Sequence, residues 1–399
     1  MMELTAKTNK NTKIVKTEGY WIYDEYDNKQ LDISCGSFAY TLGYGNKEII
    51  DEMSSSLSQV TRAHLPIGHT TDDIEEMKNL LLSSGNWAGV IWSLTGTGAV
   101  ESAIHIGQTY FKIKGTPKDR VITFGKGWHG TSAITKKYSG MWPLTKYDNN
   151  VSLSTPAWQT QEERIEQEAQ TLSDIRNELN NSNDIGQILI NPNPWFNGVN
   201  PWSKNFWLEL DSIRNEYDIL IVTDDIASCW GKAKTYHSFS TMFPEGMQPD
   251  ISCVGKAITA GYAPLAAAVA TKKIADVVQG KVNYQHTFQP YLGGISAMKA
   301  VNRIIVRENL FEKTNWIETQ INRIGEILKE KEQIESYTAY GTCGAFYLKD
   351  REIGKDLKGM YYGLSSDLSK IPNLRMCIPL ISDDEYFYEF EKMLKQKLN

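Results

Sequence analysis

What this chain lacks narrows its chemistry first. It has no CxxC pair, and its five cysteines (Cys35, Cys229, Cys253, Cys343, Cys377) are scattered and odd in number. That argues against a disulfide framework and points to reduced thiols in a cytoplasm-like compartment. The six histidines show no HExxH or other metal-ligand spacing, and there is no GxSxG turn. Metal hydrolysis and serine hydrolysis are both disfavoured. Positive charge is not in excess. Forty-two basic and 48 acidic residues leave a formal charge of −6, which argues against a nucleic-acid binder relying on a general positive field. Long hydrophobic runs are missing as well. The longest nearly apolar stretch, around Leu265 to Ala270, is far short of a membrane span. The polar N-terminus (MMELTAKTNKNTKIVK) lacks the apolar core of a signal peptide. No repeat or low-complexity tract stands out.

What is present fits a globular protein with a large core. The 399 residues suggest two or three domains, and a chain of this length needs no disulfide or metal staples. Eleven Trp and 20 Tyr hint at aromatic-lined pockets. The segment Trp21 to Phe38, with turn residues inside it (YDNKQ), predicts a small hairpin. From about 60 to 275, short β-rich runs alternate with helical stretches. The runs are VIWSLT (90–95), RVITF (120–124), GQILIN (186–191), DILIVTD (218–224), ISCVG (251–255) and LAAAVAT (265–271). Near-continuous apolar strands separated by helices indicate a mostly parallel sheet covered on both faces.

Helical spacing supports this reading. Val100, Ala103, Ile104, Gly107 and Phe111 fall on one stripe, as do Phe206, Leu210, Ile213 and Tyr217. The polar stretch 160–180 carries Ile165, Ala169, Leu172, Ile175 and Leu179 on one side and predicts a solvated surface helix. A long helical segment, Ile295 to Lys331, leads to β-rich Ser336 to Leu348. The last helix is predicted to start at Ser382, where Ser382-Asp-Asp-Glu385 fits a capping box. The fold class is therefore α/β. A large domain with a mostly parallel central sheet (59–290) is joined by a smaller α+β domain built from both chain ends (1–58 and 291–399).

Four features bear chemistry. Asp224 ends the apolar strand DILIVTDD, where open α/β sheets place their ligands. A carboxylate there, beside Asp225, calls for Mg²⁺, a basic side chain or a protonated heterocycle. Alone it is equally a helix cap. Lys256 follows a short apolar strand and precedes a Gly- and Ala-rich stretch. Desolvation lowers an amine's pKa and frees it as a nucleophile toward carbonyls, although a lone lysine commonly snorkels to the surface. Thr95-Gly96-Thr97-Gly98 lies between a strand and a helix, where backbone N–H groups bind phosphate. The GxGxxG and Walker patterns both fail here. Gly127-Trp128-His129-Gly130 puts an aromatic at a strand end, able to lie flat against a planar ligand.

One cofactor needs a phosphate cradle, a stacking aromatic, a strand-end aspartate and a buried lysine together: pyridoxal 5′-phosphate. The blocks SLTGTGAVESAIHIG, FGKGWHGTSAIT, LIVTDDIASCWGK, PDISCVGKAITAGYAPLAAAV, HTFQPYLGGISA and LRMCIPLISDDE carry a resemblance that spans nearly the whole chain. The chain resembles the class III pyridoxal-phosphate aminotransferases of fold type I. The resemblance implies that Lys256 bonds to the cofactor's aldehyde carbon and later shuttles a proton. It implies that Asp224 pairs with the pyridinium nitrogen, that Ile226 and Trp128 pack on the two ring faces, and that His129 belongs to the same site. Gly96 and Thr97 would hold the phosphate. Thr287 would reach the phosphate of a neighbouring subunit's cofactor, which implies a homodimer with shared active sites. Arg375 would grip a substrate carboxylate, with Phe196 and Trp21 lining the substrate pocket.

The chain departs from the family pattern at Gly98 (usually Glu), Trp128 (usually Tyr), Ala227 (often Gln) and Asn191-Pro192 (usually Glu-Pro). Phe196 stands where ω-amine members carry a Glu that masks the arginine. The resulting expectation is a cytoplasmic, ping-pong aminotransferase that moves an amino group from an amine or ω-amino acid to a keto acid or aldehyde, with no metal, nucleic acid or membrane. An aminomutase of the glutamate-1-semialdehyde type shares these blocks and stays open as the alternative. A decarboxylase, a Mg²⁺-nucleotide enzyme built on Asp224 and Asp225, and a non-catalytic relative are weaker rivals.

Overall fold

The computed structural model of the chain describes residues 13–60, 69–125, 127–139, 150–154, 158, 160–194, 198–349 and 373–398. Near the N-terminus, β1 (Ile14–Glu18), β2 (Trp21–Asp24) and β3 (Lys29–Leu31) form an antiparallel sheet. The expected hairpin is β2–β3, but it is shorter than predicted and gains β1 beside it. Its turn closes on one carboxylate. Asp24 accepts from the Tyr26 and Asn28 backbone N–H groups (2.9 and 3.0 Å) and from the Asn28 side chain (2.9 Å).

The central sheet contains β4 (Trp87–Ser93), β5 (Arg120–Phe124), β6 (Asn150–Leu153), β7 (Ile185–Ile190), β8 (Leu220–Asp224), β9 (Ile251–Val254) and β10 (Ala266–Thr271). Their order is β4-β10-β9-β8-β7-β5-β6. Pairing is parallel from β6 across to β9, and β10 alone runs antiparallel to both of its neighbours. Every residue of β7, β8 and β9 is buried, which is why these segments read as unbroken apolar runs. β6 was not anticipated; it is a short edge strand with half its residues polar.

Helix Gly96–Ile113 packs its apolar stripe on β9 and β10. In helix Gln161–Asn181 the stripe differs from expectation. Ile165 is 61% exposed, and the buried residues are Glu168, Thr171, Ile175 and Leu179. Glu168 is drawn inward because it accepts the Ser203 N–H (2.6 Å) at the start of helix Lys204–Tyr217 and bonds Arg164 Nε (3.2 Å). The predicted single helix from Ile295 is two helices, Leu292–Arg307 and Leu310–Glu330. The break falls at Asn309, which adopts a left-handed conformation (φ +49°).

β11 (Ile334–Tyr340), β12 (Cys343–Leu348) and β13 (Asn373–Cys377) form a third, antiparallel sheet. The chain ends pack together through backbone bonds Cys377 N–H to Ile33 O (2.8 Å) and Leu380 N–H to Thr41 O (2.7 Å). This contact supports, as a proposal, grouping 1–58 with 291–399. No helix of the described residues is long and apolar enough to cross a membrane.

The last helix, Asp384–Leu398, corrects the capping reading by one residue. Asp383, not Ser382, accepts the Tyr386 N–H (3.0 Å), and its Oδ1 also takes the Tyr20 hydroxyl (3.1 Å). The Ser382 hydroxyl is buried without a partner among the described residues. We predict that Asp383→Ala lowers unfolding stability in urea by about 1–2 kcal/mol. Ser382→Ala should change it by less than about 0.5 kcal/mol. The reverse ranking would restore the sequence-based cap.

Candidate active site

The carboxyl ends of the parallel strands build one cavity of about 190 Å³. It is lined by residues from the ends of β8 (Asp224, Ile226, Ala227), β5 (Trp128, His129, Gly130), β7 (Asn191) and β9 (Lys256), and by the start of helix Gly96–Ile113 (Gly96, Thr97). Phe38 closes it from the N-terminal segment. The apolar runs of the strands stop at the cavity, and Asp224, Asn191 and Lys256 at or just beyond their ends border it.

Asp224 is held on both oxygens. His129 Nδ1 lies 2.7 Å from Oδ2, and the Ile226 N–H donates to Oδ1 (3.3 Å). Since a carboxylate accepts, His129 donates from Nδ1, which leaves the ring's Nε2 outside this bond. That Nε2 is buried without a partner among the described residues. His129 is itself seated by its N–H, which donates to Ser139 Oγ (2.9 Å). Asn191 Nδ2 donates to the Asp224 carbonyl (3.1 Å), so this departure from the family pattern ties β7 to β8.

The two adjacent aspartates diverge. Asp225 accepts from the Ser238 N–H (2.9 Å) and lies near His237, away from the cavity. Burial pushes the Asp225 carboxyl up to about 7 and holds His237 down at about 3. His237 Nε2 accepts from Trp87 Nε1 (3.1 Å), which suits a neutral ring. An Asp224–Asp225 magnesium pair therefore finds no geometric support.

Lys256 has a left-handed backbone (φ +48°), which turns its side chain off the end of β9 into the cavity. Its amine sits 4.9 Å from the centre of the Phe38 ring. Burial, helped by the positive charge of Lys232, pushes it down to about 8 against an opposing pull from Asp224.

At the start of helix Gly96–Ile113, Thr95 caps the Gly98 N–H (3.0 Å), leaving Gly96 and Thr97 at the cavity wall. Helix N-termini leave their first N–H groups without intrahelical partners and favour anions. A Cβ on Gly98 would lie 2.2 Å from Ser93 Oγ, so a larger residue there requires that hydroxyl to move. Ile226 packs on Gly96, where a Cβ would lie 2.9 Å from Ile226 Cδ1.

Seven of the residues singled out from the sequence thus border one space: Gly96, Thr97, Trp128, His129, Asp224, Ile226 and Lys256. Of the other four, Phe196 lies outside the described residues and three do not line it. Trp21 packs under Lys29, whose Nζ is 3.7 Å from its ring centre. Thr287 is exposed, next to half-exposed Phe288. Arg375 sits on β13 opposite Ala345, where burial pushes its guanidinium down to about 10. Sequence reasoning missed Phe38, while Gly130 closes the Gly127–Gly130 segment singled out for its aromatic. For Phe38 the available signal was Asp32-Ile-Ser-Cys-Gly36, a carboxylate two and four residues before N–H groups it can bind. Asp32 does accept the Ser34 N–H (2.8 Å) and the Gly36 N–H (2.7 Å).

Comparison with known proteins bears on the family and the fold. The family model for Aminotransferase class-III matches residues 4–398. An uncharacterized aminotransferase, y4uB, of Sinorhizobium fredii is 23% identical over 77% of this chain and 69% of its own length. The adenosylmethionine-8-amino-7-oxononanoate aminotransferase of Staphylococcus aureus is 29% identical over 65% of this chain and 60% of its own length. Among solved structures, an (S)-enantioselective ω-transaminase from Thermomicrobium roseum superposes with a TM-score of 0.88 at 18% identity, covering 100% of this chain and 96% of that one.

The burial of Lys256 gives a direct test. In the cofactor-free protein, pH-dependent acetylation of Lys256, followed by peptide mass spectrometry, is expected to rise through a midpoint near 8. A midpoint at the ordinary lysine value of about 10.4 would contradict the burial argument.

Proposed function

The chain belongs to the class-III aminotransferases, pyridoxal-phosphate-dependent enzymes of fold type I, and from that premise we propose that it moves an amino group from an amine or ω-amino acid to a keto acid or aldehyde. The single observation that carries this reading is that the Lys256 amine and the Asp224 carboxylate border one cavity that also holds a helix N-terminus. The donor set fits the cofactor: an amine for its aldehyde, a carboxylate for its ring nitrogen, N–H groups for its phosphate and a flat side chain for its ring.

When bound, pyridoxal phosphate supplies an aldehyde carbon for amine exchange and a protonated ring that withdraws electrons. The residues do the rest. Gly96 and Thr97 bind the phosphate through backbone N–H groups. Asp224 holds a proton on the ring nitrogen, and His129 holds Asp224 in place. Trp128 and Ile226 confine the ring from its two faces. Lys256 Nζ, with a pKa near 8, is basic enough to take a proton from substrate carbon and acidic enough to return it near neutrality. Phe38 and Trp128 give the cavity apolar walls, which exclude water and suit a donor with an apolar body.

Arg375, on β13 two residues before Cys377, is our candidate for gripping the acceptor's carboxylate. A keto acid such as pyruvate or 2-oxoglutarate then suits the second half-reaction. The named relatives differ in substrate, so the donor is left at the level of class. We also propose a homodimer in which Thr287 reaches the partner's cofactor phosphate; its exposure beside Phe288 supports this. The five buried free cysteines support a reducing, cytoplasm-like compartment.

Borohydride reduction of the purified, cofactor-loaded protein, followed by peptide mapping, is expected to leave the pyridoxyl mass on Lys256. Attachment at another lysine, or none, ends the proposal. Asp224→Asn should retain cofactor and lose about 10²–10³-fold in kcat. Arg375→Ala should raise KM for a keto acid about 10- to 100-fold and leave KM for a carboxylate-free amine unchanged. Equal loss for both substrates would remove Arg375 from the acceptor site.

A further inference from the structure

A second lysine lies behind the site. Lys232, in the turn after β8, is 1% exposed, among the most deeply buried charged side chains of the protein. Its backbone is clamped. The Lys232 carbonyl accepts the Thr342 N–H (2.9 Å), and a Cβ on Gly341 would come within 1.9 Å of that carbonyl oxygen. Its ammonium crosses to the N-terminal segment and donates to the Phe38 carbonyl (2.8 Å). A carbonyl takes that hydrogen bond without cancelling the charge.

The segment it reaches is strained. Cys35, Gly36, Ser37 and Phe38 all have positive φ (+48°, +51°, +68° and +69°), forming one turn of left-handed helix. Non-glycine residues in that conformation bring Cβ too close to the following carbonyl oxygen. Asp32 holds the start of the turn through the Ser34 and Gly36 N–H groups, with Tyr44 OH on the same carboxylate (2.7 Å). Cys35 Sγ donates to the Cys377 carbonyl (3.1 Å). Lys232 holds the end of the turn. The result of this strain is the Phe38 ring set 4.9 Å from the Lys256 amine.

We propose that Lys232 is a positioning residue for Lys256: through the Phe38 carbonyl it fixes the left-handed turn that seats the Phe38 ring over the reacting amine, and it keeps a buried positive charge behind that amine. Lys232 never touches the reacting atoms. Four titratable or charged groups act on Lys256 from the elements around it. Asp224 at the end of β8, Cys229 in the following turn and Cys377 on β13 favour its charged form, and Lys232 opposes it. Two ammonium groups in one apolar region disfavour each other, so Lys232 works with burial to weaken the hold of Lys256 on its proton. The proposal rests on reading Lys256 as the amine that reacts.

Acetylation of Lys256 in the cofactor-free protein separates the two effects. The pH midpoint reports charge, and the plateau rate at high pH reports cover by the Phe38 ring. Lys232→Gln keeps a donor for the Phe38 carbonyl and loses the charge; it should raise the midpoint by about one unit with an unchanged plateau. Lys232→Met loses both and should raise the midpoint and speed the plateau several-fold. Lys232→Arg should match the wild type in both. Phe38→Ala leaves Lys232 in place and should speed the plateau, which keeps the test decisive if a Lys232 variant fails to fold. Wild-type midpoints in the Gln and Met variants overturn the proposal, as does an Arg variant shifted as far as Met or an unchanged plateau in Phe38→Ala. A merely structural role would lower Tm and leave both readouts alone. The measurement reads the amine itself. Cofactor found on another lysine would therefore sink the proposed function while leaving this result standing.

Discussion

The hydrogen bond from His129 to Asp224, 2.7 Å long with both side chains shut off from solvent, is the contact on which the site depends. A carboxylate at a buried strand end is costly unless its lone pairs are occupied and its position is fixed. His129 and the Ile226 N–H occupy them, and the Asn191 side chain ties the neighbouring strand to the same residue's carbonyl. This leaves Asp224 aimed at the cavity while Asp225, one residue on, serves the packing of Ser238 and His237. Asp224 is the last residue of β8 and Asp225 the first beyond it, so the strand's end separates a group that meets ligand from one that stabilises the turn.

On the other side of the cavity the fold does the reverse work, weakening a basic group's hold on its proton. Lys256 is placed by its own left-handed backbone and covered by a ring that another left-handed turn supplies. Positive-φ non-glycine residues stand at both places, and the turn is held where Asp32 accepts the Gly36 N–H and Lys232 donates to the Phe38 carbonyl. The site is thus a meeting of two opposed electrostatic tasks within one small space. Strained segments that the surroundings over-determine are characteristic of functional sites.

Much of this was legible in the sequence because burial leaves a simple mark. The strands around Asp224 and Lys256 are buried on both faces, so they read as apolar runs, and a charged residue at or just beyond the end of each run borders the cavity. Other features left no such mark. Phe38 looks like one more hydrophobic residue in a loose hairpin; its position depends on Lys232, 194 residues away, and on a chain of positive φ values. The inward face of helix Gln161–Asn181 was misjudged because a glutamate, Glu168, takes a buried place by bonding Ser203. The long helix after Ile295 was read as continuous because a left-handed Asn309 interrupts it without glycine or proline. Ser382 carried the residue pattern of a cap, but Asp383 bonds the helix N–H.

The central claim is that one cavity presents the Lys256 amine and the Asp224 carboxylate to the two ends of the same planar cofactor. A crystal structure of the protein grown with pyridoxal phosphate measures this directly. The account predicts density continuous from Lys256 Nζ into the cofactor, its ring nitrogen within hydrogen-bond distance of Asp224, and its phosphate against Gly96 and Thr97. A cofactor bound elsewhere, or seated with its phosphate toward Asp224, would contradict it.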